Sequence, residues 1–523
     1  LVIGGLLVDK FFLEPREGTR EPGDAQTAAV SVEAAPDTAT PSVRRSVAVL
    51  PFRAMSSGAD DGFFADGLTE EILNSLSQVP ELAVTSRTSS FYFKDRDLPI
   101  GEIAQQLNVD HVVEGSVRRS GERLRVTAQL IRASDDTHLW SETYDRSDAD
   151  AIAVQEEIAV RIAETLGVFL DETTLGLMRS AGLRDVTAFI EYQKGRELHE
   201  RAHRHEVDMV LLAEGNRNYE TALAIQPGFA PAWLFYSDYY THLLVDHATR
   251  EPDAQLSEEE VAEAYAAGLD AFQRAARGAG NADARAATEL DLAIYEGKGE
   301  AWRPLLEEVL ASDSCDDIIW HQLVAFVPEY AVRFAEAMQR LRACDPMTKR
   351  YMGMILSGYL WGGAPGDGLA VPEIESAGIH PFYVKWKFRI QIAQGRSDEA
   401  RTTATIDSPN ERARQQALVL IAAAMGDSEE AMRLDDQIRQ GEDNHFFALQ
   451  RAAWLGDRQR ANELATAIDG NALGHLSLMM TTYWCACGAP FDLEAAPNFA
   501  RIWTAADLPW PLESPIDFPL KDW

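Results

Sequence analysis

The sequence predicts an α/β mixed-sheet domain followed by an all-α helical solenoid. Three observations carry the prediction. Between residues 46 and 144, short β-branched runs alternate with brief helical patterns, and two of the runs are joined at the hairpin signal Ser120-Gly121-Glu122. From about residue 183 onward the pattern is helical. Late in the chain a glycine-turn segment recurs as Gly395-Arg396-Ser397-Asp398-Glu399-Ala400, Gly426-Asp427-Ser428-Glu429-Glu430-Ala431 and Gly456-Asp457-Arg458-Gln459-Arg460-Ala461, at spacings of 31 and 30 residues. A near-constant period of this size marks stacked helix pairs.

Residues 1–13 are expected to be the end of a transmembrane helix. Leu1 to Val8 is apolar, Asp9-Lys10 interrupts, and Phe11-Phe12-Leu13 follows. This is far short of the roughly 20 residues that span a bilayer, so the start of such a helix would lie upstream. A cleavage-site remnant or a short amphipathic end is the alternative. Lys10, Arg16 and Arg20 are balanced by Asp9, Glu14, Glu17 and Glu21, so charge does not decide the orientation. Residues 14–45 are rich in Pro, Gly, Ala, Thr, Ser and Glu and show no hydrophobic period. Such a stretch buries too little apolar surface to offset its ordering entropy, and it is expected to be a flexible linker.

Residues 46–172 are expected to form the α/β domain. Residues 46–52 are a buried strand ending in Pro51 and Phe52. Leu68, Ile72, Leu73 and Leu76 mark a helix over 66–78, with Asp66 or Thr69 near its cap and Pro80 ending it. Leu82 to Thr85 is a second strand, residues 100–107 a short helix, and strands follow over 110–118, 123–133 and 138–144. Leu124, Val126, Ala128 and Leu130 alternate with Arg123, Arg125, Thr127 and Gln129, which predicts a sheet with one wet face. Ile152, Ile158, Ile162 and Leu166 stripe a final helix over 152–170. The order βαβαβββα fits one mixed sheet covered by helices.

The segments Val47-Ala48-Val49-Leu50-Pro51-Phe52, Phe64-Ala65-Asp66-Gly67-Leu68-Thr69-Glu70-Glu71-Ile72-Leu73, Val113-Glu114-Gly115-Ser116-Val117 and Leu139-Trp140-Ser141-Glu142-Thr143-Tyr144-Asp145-Arg146 together resemble the TolB-like amino-terminal domain. That domain precedes tetratricopeptide repeats in many bacterial membrane-anchored proteins. No four-strand blade repeat follows residue 172, so the β-propeller of TolB itself is not expected. The resemblance implies a bacterial inner-membrane protein with this region on the periplasmic side. It points to recognition of other proteins, and in some relatives a DNA-binding or cyclase domain precedes the membrane span.

Residues 183–487 are expected to be tetratricopeptide-like helical repeats. Gly215, Tyr219, Ala222 and Pro227 meet the offsets of the second helix of such a repeat, and Trp233, Ser237 and Tyr240 those of the next first helix. Small residues let neighbouring helices approach, and the aromatic fills the gap between pairs. The consensus fades over 245–300, Thr249 to Leu256 resembles an insertion, and residues 361–368 form an extended turn. Residues 488–523 are Pro-rich and are expected to lie along the last repeat as a C-terminal cap.

The net charge of −35 disfavours binding to phosphate backbones, so no nucleic acid is expected. Four cysteines make no disulfide scaffold. Cys485-Ala486-Cys487 is too sparse for zinc, a Cys315–Cys344 bridge is conceivable in an oxidising compartment, and free thiols are the expected state.

Several motifs imitate chemistry. His199-Glu200-Arg201-Ala202-His203 has the letters of the H-E-x-x-H zinc-hydrolase helix, but Arg196, Glu197, Arg201, Arg204 and Glu206 give it a polar setting foreign to such enzymes. Glu114-Gly115-Ser116-Val117 lacks a full nucleophile elbow, and Gly115 is better explained by a bulge or a close backbone approach. Arg87, Arg118, Arg119, Arg123 and Arg125 make a cationic cluster countered by Glu81, Glu114 and Glu122. Asp66, Glu70 and Glu71 are explained as helix-start acids. No stretch resembles the metal-binding strand or nucleotide pocket of a class III cyclase.

The leading expectation is a non-enzymatic, membrane-tethered protein–protein interaction scaffold, with a groove in the repeat array for a protein or peptide partner. Leu234, Asp238 and Thr241 share a stripe at i, i+4 and i+7 and are the candidate groove residues, while Trp233, Ser237 and Tyr240 form the packing stripe. No catalytic, cofactor or metal residues are expected. Two readings stay open: the sensory or regulatory half of a signal-transduction protein, and a zinc hydrolase at residues 199–203.

Overall fold

A computed structural model describes residues 45–523 except 59, 122, 148–149, 181–182, 204–206, 251–255, 312–322, 332, 334–351, 365–380, 409 and 440–443. The expected membrane helix end, the linker up to residue 44, Cys315 and Cys344 therefore lie outside the described residues. No helix among the described residues is long and apolar enough to cross a membrane.

The first elements are β1 (Arg45–Val49), β2 (Arg53–Ala54), α1 (Asp61–Ser77), β3 (Leu82–Val84), α2 (Arg87–Phe91), α3 (Ile100–Leu107), β4 (His111–Ser120), β5 (Arg123–Arg132), β6 (Thr137–Ser147) and α4 (Ala151–Thr165). They build one mixed sheet of order β3-β1-β4-β5-β6, with β2 paired to β4. β1 runs parallel to β3 and β4, and β4, β5 and β6 form an antiparallel meander. The expected first strand splits into β1 and β2 around Pro51, which has no N–H to give a ladder.

Both faces of the sheet are used. Val47, Val49, Val113 and the β5 stripe Leu124, Val126, Ala128 and Leu130 pack under Phe64, Leu68 and Ile72 of α1 and Ile158 and Ile162 of α4. Ala48, Leu50 and Val112 pack on the other side under Ile103, Ala104 and Leu107 of α3. The wet part of the sheet carries Arg123 and Arg125 of β5, which pair with Asp145 of β6.

α1 starts earlier than its sequence cap suggested, with Asp60 at the N-cap. Phe64 and Ala65 are buried, so the apolar stripe runs on toward the N-terminus. Asp66, Glu70 and Glu71 are thus interior helix positions and not first-turn acids. Thr69 caps nothing: its hydroxyl donates to the Ala65 carbonyl at 2.8 Å and accepts from the Phe52 N–H at 2.9 Å.

The remainder is helical: α5 (Glu172–Ser180), α6 (Val186–Ala202), α7 (Met209–Ile225), α8 (Ala230–Thr249), α9 (Glu258–Gly278), α10 (Ala282–Tyr295) and α11 (Gly299–Ala311). Further helices are Met352–Trp361, Pro381–Ala393, Ser397–Asp407, Glu411–Ala424, Ser428–Arg439, His445–Trp454, Arg458–Asp469, Gly474–Cys485 and Pro497–Ala505. Consecutive helices pack side by side, which makes the array solenoid-like. Where the consensus fades after residue 245, α9 and α10 are still formed.

The recurring glycines end helices in one geometry. Gly395, Gly426 and Gly456 have φ of +73°, +72° and +74°. The N–H after each glycine bonds back across six residues (Arg396 to Gln391 at 2.8 Å, Asp427 to Ala422 at 2.9 Å, Asp457 to Ala452 at 2.9 Å), which is the Schellman closure. The small residue that follows in each copy, Ala400, Ala431 or Ala461, is fully buried.

The later helices fold back onto earlier ones. His475 Nε2 bonds to the Ile294 carbonyl at 2.8 Å, and Asn444 Nδ2 donates to Thr249 Oγ1 at 3.0 Å. One hydrophobic core accordingly runs from Leu244 to Phe518. The C-terminal segment reaches beyond the last helix pair: Leu520 lies against Gly456 and Pro519 against Gly426. Leu508, Leu512, Ile516 and Phe518 are what hold it there, since all four are buried in the same core. Cys485 and Cys487 form a disulfide, where free thiols were expected; their Cα atoms are 5.1 Å apart, within bridging reach.

Candidate functional site

α6 is the element on which the polar features converge. On one side it meets α1. Gly67 of α1 leaves room for the Phe189 ring, which would lie 1.9 Å from a Cβ at that position. Beside this contact, buried Glu70 accepts from Arg87 Nε at 2.7 Å, from Gln193 Nε2 at 3.0 Å and from Arg196 Nη1 at 3.3 Å. Arg87 also reaches Glu200 at 3.0 Å. Burial opposes ionisation of Glu70, and the Arg87 and Arg196 guanidinium groups outweigh it, holding the carboxyl below its ordinary range. Arg196 in addition lies over the Phe235 ring at 4.5 Å.

On its other side α6 presents His199 and His203, one turn apart, to Asp238 and His242, one turn apart on α8. His199 Nε2 is 3.2 Å and His203 Nε2 3.4 Å from Asp238 Oδ2, and His242 Nε2 is 3.5 Å from Asp238 Oδ1. His203 Nε2 and His242 Nε2 are 3.2 Å apart. Side-chain exposure is 8% for His199, 21% for His203, 28% for His242 and 30% for Asp238, so the cluster is enclosed but reachable. Enclosure opposes ionisation of Asp238, and the charges of His242 and His203, with hydrogen bonds from His199 and His203, outweigh it and hold the carboxyl well below its usual range. Enclosure also lowers the His242 imidazole. The two shifts compete, because that of Asp238 leans on a charged His242. The carboxylate direction is the firmer one, since His199 and His203 face Asp238 as well.

Comparison with known proteins adds two sequence matches. Residues 43–161 match the second domain of HilA/YgeH-like transcriptional regulators. A putative adenylate cyclase 3 of Rhizobium meliloti (strain 1021) is 36% identical over 218 residues, 42% of this chain. The chain spans 35% of that protein's length, about a third. Among solved structures, TolB from Acinetobacter baumannii aligns at 13% identity over 24% of this chain and 28% of that one, with a TM-score of 0.18, too low to carry an argument.

The structure scatters some sequence candidates and unites others. Glu200, the base of a zinc-hydrolase helix, pairs with Arg87 and Arg196. Gly115 is a close-approach glycine: a Cβ there would come within 2.5 Å of both the Phe52 ring and the Thr127 carbonyl. The expected bulge is not at Gly115, which pairs in register with Ala128. The arginine cluster divides, with Arg119 near Asp61, Arg123 and Arg125 on Asp145, and Arg87 on Glu70. Asp66 pairs with Lys94. Of the groove candidates, Leu234 is partly buried against the main helical core, and Asp238 sits among the imidazoles. Thr241 is buried, and its hydroxyl donates to the Ser237 carbonyl at 3.0 Å. His242 and the Glu70–Arg196 pair were missed. The i, i+4 spacing of Asp238 and His242, matching that of His199 and His203, was the available signal.

Proposed function

We propose that this chain is a non-catalytic regulatory part of a bacterial signal-transduction protein. In this reading α6 couples the α/β domain to the helical array. The observation that carries it is the buried charge network of Glu70, Arg87 and Arg196, which ties α1 to α6. The match of residues 43–161 to a transcriptional-regulator domain, and the similarity to a putative adenylate cyclase, support regulation over a purely passive scaffold.

The finer parts of the reading follow. The helix pairs are tetratricopeptide-like, supported by the close approach of Gly195 to Tyr219 and of Gly215 to the Gly195 carbonyl. They take a protein or peptide partner, with Leu234 and Asp238 keeping part of their surface for it, whereas buried Thr241 offers none. The charge of −35 disfavours nucleic acid as that partner. A membrane anchor ahead of residue 14, at the bacterial inner membrane with this region periplasmic, completes the proposal.

Two measurements test it. Purified protein incubated with ATP and Mg²⁺ or Mn²⁺ is expected to form no cyclic AMP; formation would contradict the non-catalytic assignment. In the native host, in-frame removal of the codons for residues 183–523 is expected to change the cyclic AMP level or the transcript profile. No change in either would contradict the regulatory assignment.

A further inference from the structure

We propose that His199, His203 and Asp238, with His242 beside them, hold one divalent transition-metal ion that clamps α6 to α8. The first three offer donor atoms that all lie within 4.8 Å of one another. His242 Nε2 lies beside that group, 3.2 Å from His203 Nε2 and 3.5 Å from the other carboxylate oxygen, Asp238 Oδ1.

The spacing is that of a coordination shell. Zinc binds imidazole nitrogen and carboxylate oxygen at about 2.0–2.1 Å, which sets the edge of a tetrahedron of donors at roughly 3.3–3.4 Å. The His199 and His203 Nε2 atoms lie 3.2 and 3.4 Å from one oxygen, Asp238 Oδ2. Two helices each contribute an i, i+4 pair, the spacing that brings two side chains to one face.

The tautomer of His203 points the same way. Its Nδ1 lies 2.9 Å from the His199 carbonyl oxygen. A carbonyl only accepts, so Nδ1 carries a proton, and Nε2 is the nitrogen left to take an ion. A ring nitrogen fixed through its opposite N–H by a backbone carbonyl is the usual second-sphere support of a metal-bound histidine.

The donor set also says what kind of site this is. Imidazole nitrogens with a carboxylate oxygen suit Zn²⁺, Co²⁺, Ni²⁺ or Cu²⁺ over Mg²⁺ or Ca²⁺, which prefer all-oxygen shells. Glu200, which would have to activate water in a zinc hydrolase, is instead paired with Arg87 and Arg196. The ion is therefore structural, and its consequence is mechanical: it locks α8 to the helix that carries Arg196.

The test is a titration of the purified, metal-stripped protein with Co²⁺ and Zn²⁺, followed by desalting and elemental analysis. The expected result is one equivalent retained, visible d–d absorption for the Co²⁺ form, and a raised melting temperature with Zn²⁺. His203→Gln and Asp238→Asn should each lower retention at least tenfold, while His138→Gln, an exposed control, leaves it unchanged. Asp238→Asn keeps the side chain's size and decides the matter if His203→Gln impairs folding. No retention by the unsubstituted protein, or full retention by Asp238→Asn, would overturn the proposal.

Discussion

Glu71 shows at the residue scale how burial and charge disagree. Its neighbour Glu70 has two guanidinium partners, whereas buried Glu71 is favoured by the Leu183 backbone N–H and, among the described residues, by no guanidinium. Burial first, and then the adjacent Glu70 charge, push its carboxyl well above the usual range. A carboxyl raised in the folded state costs nothing below its unfolded pKa, and the penalty grows as pH rises toward the folded pKa. Glu71→Gln is therefore expected to raise the melting temperature more at pH 8 than at pH 5. An equal gain at both values would contradict this. Glu70 has the opposite sign: its lowered pKa gives stability that is present above the unfolded value and lost as pH falls through the folded one.

At the scale of the element, the glycine turns separate what the sequence displays from what it hides. Gly395 and Gly456 look alike in sequence, and both have positive φ. A Cβ at Gly395 meets nothing within 4 Å, but at Gly456 it would fall 2.0 Å from the Leu520 carbonyl oxygen. Gly395→Ala is expected to cost only the left-handed strain, about 1 kcal/mol. Gly456→Ala adds a backbone clash of roughly 1–3 kcal/mol. Denaturant melts of the two variants check the order, and equal losses would contradict it. The turns were legible because Gly, the acidic or polar first turn and the small residue are all local. The Leu520 contact was not, because it comes from a segment whose hydrophobic residues, Leu508 to Phe518, show no period. The same divide explains the α1 start: Phe64 and Ala65 carry the stripe upstream, and a later Asp66 looked like a cap.

At the scale of the whole molecule, composition and periodicity foretold a mixed sheet and a helical remainder. They did not foretell that Gly474–Cys485 packs back near α8 and α10, since that depends on the path of the array. The candidate site was half legible: His199 and His203 stood out as a motif, and Asp238 as a groove residue. Their meeting needed the α6–α8 packing, which is set by Tyr192, Tyr219 and Phe235 in a shared core. The central claim is that α6 makes the sheet domain and the array one coupled unit. Breaking a buried ion pair from one side costs about 3 kcal/mol, so Arg196→Ala should loosen both partners of the joint. Hydrogen exchange of the unsubstituted and Arg196→Ala proteins tests this most directly. The account predicts faster amide exchange in α1 as well as in α6; acceleration confined to α6, with α1 unchanged, would contradict it.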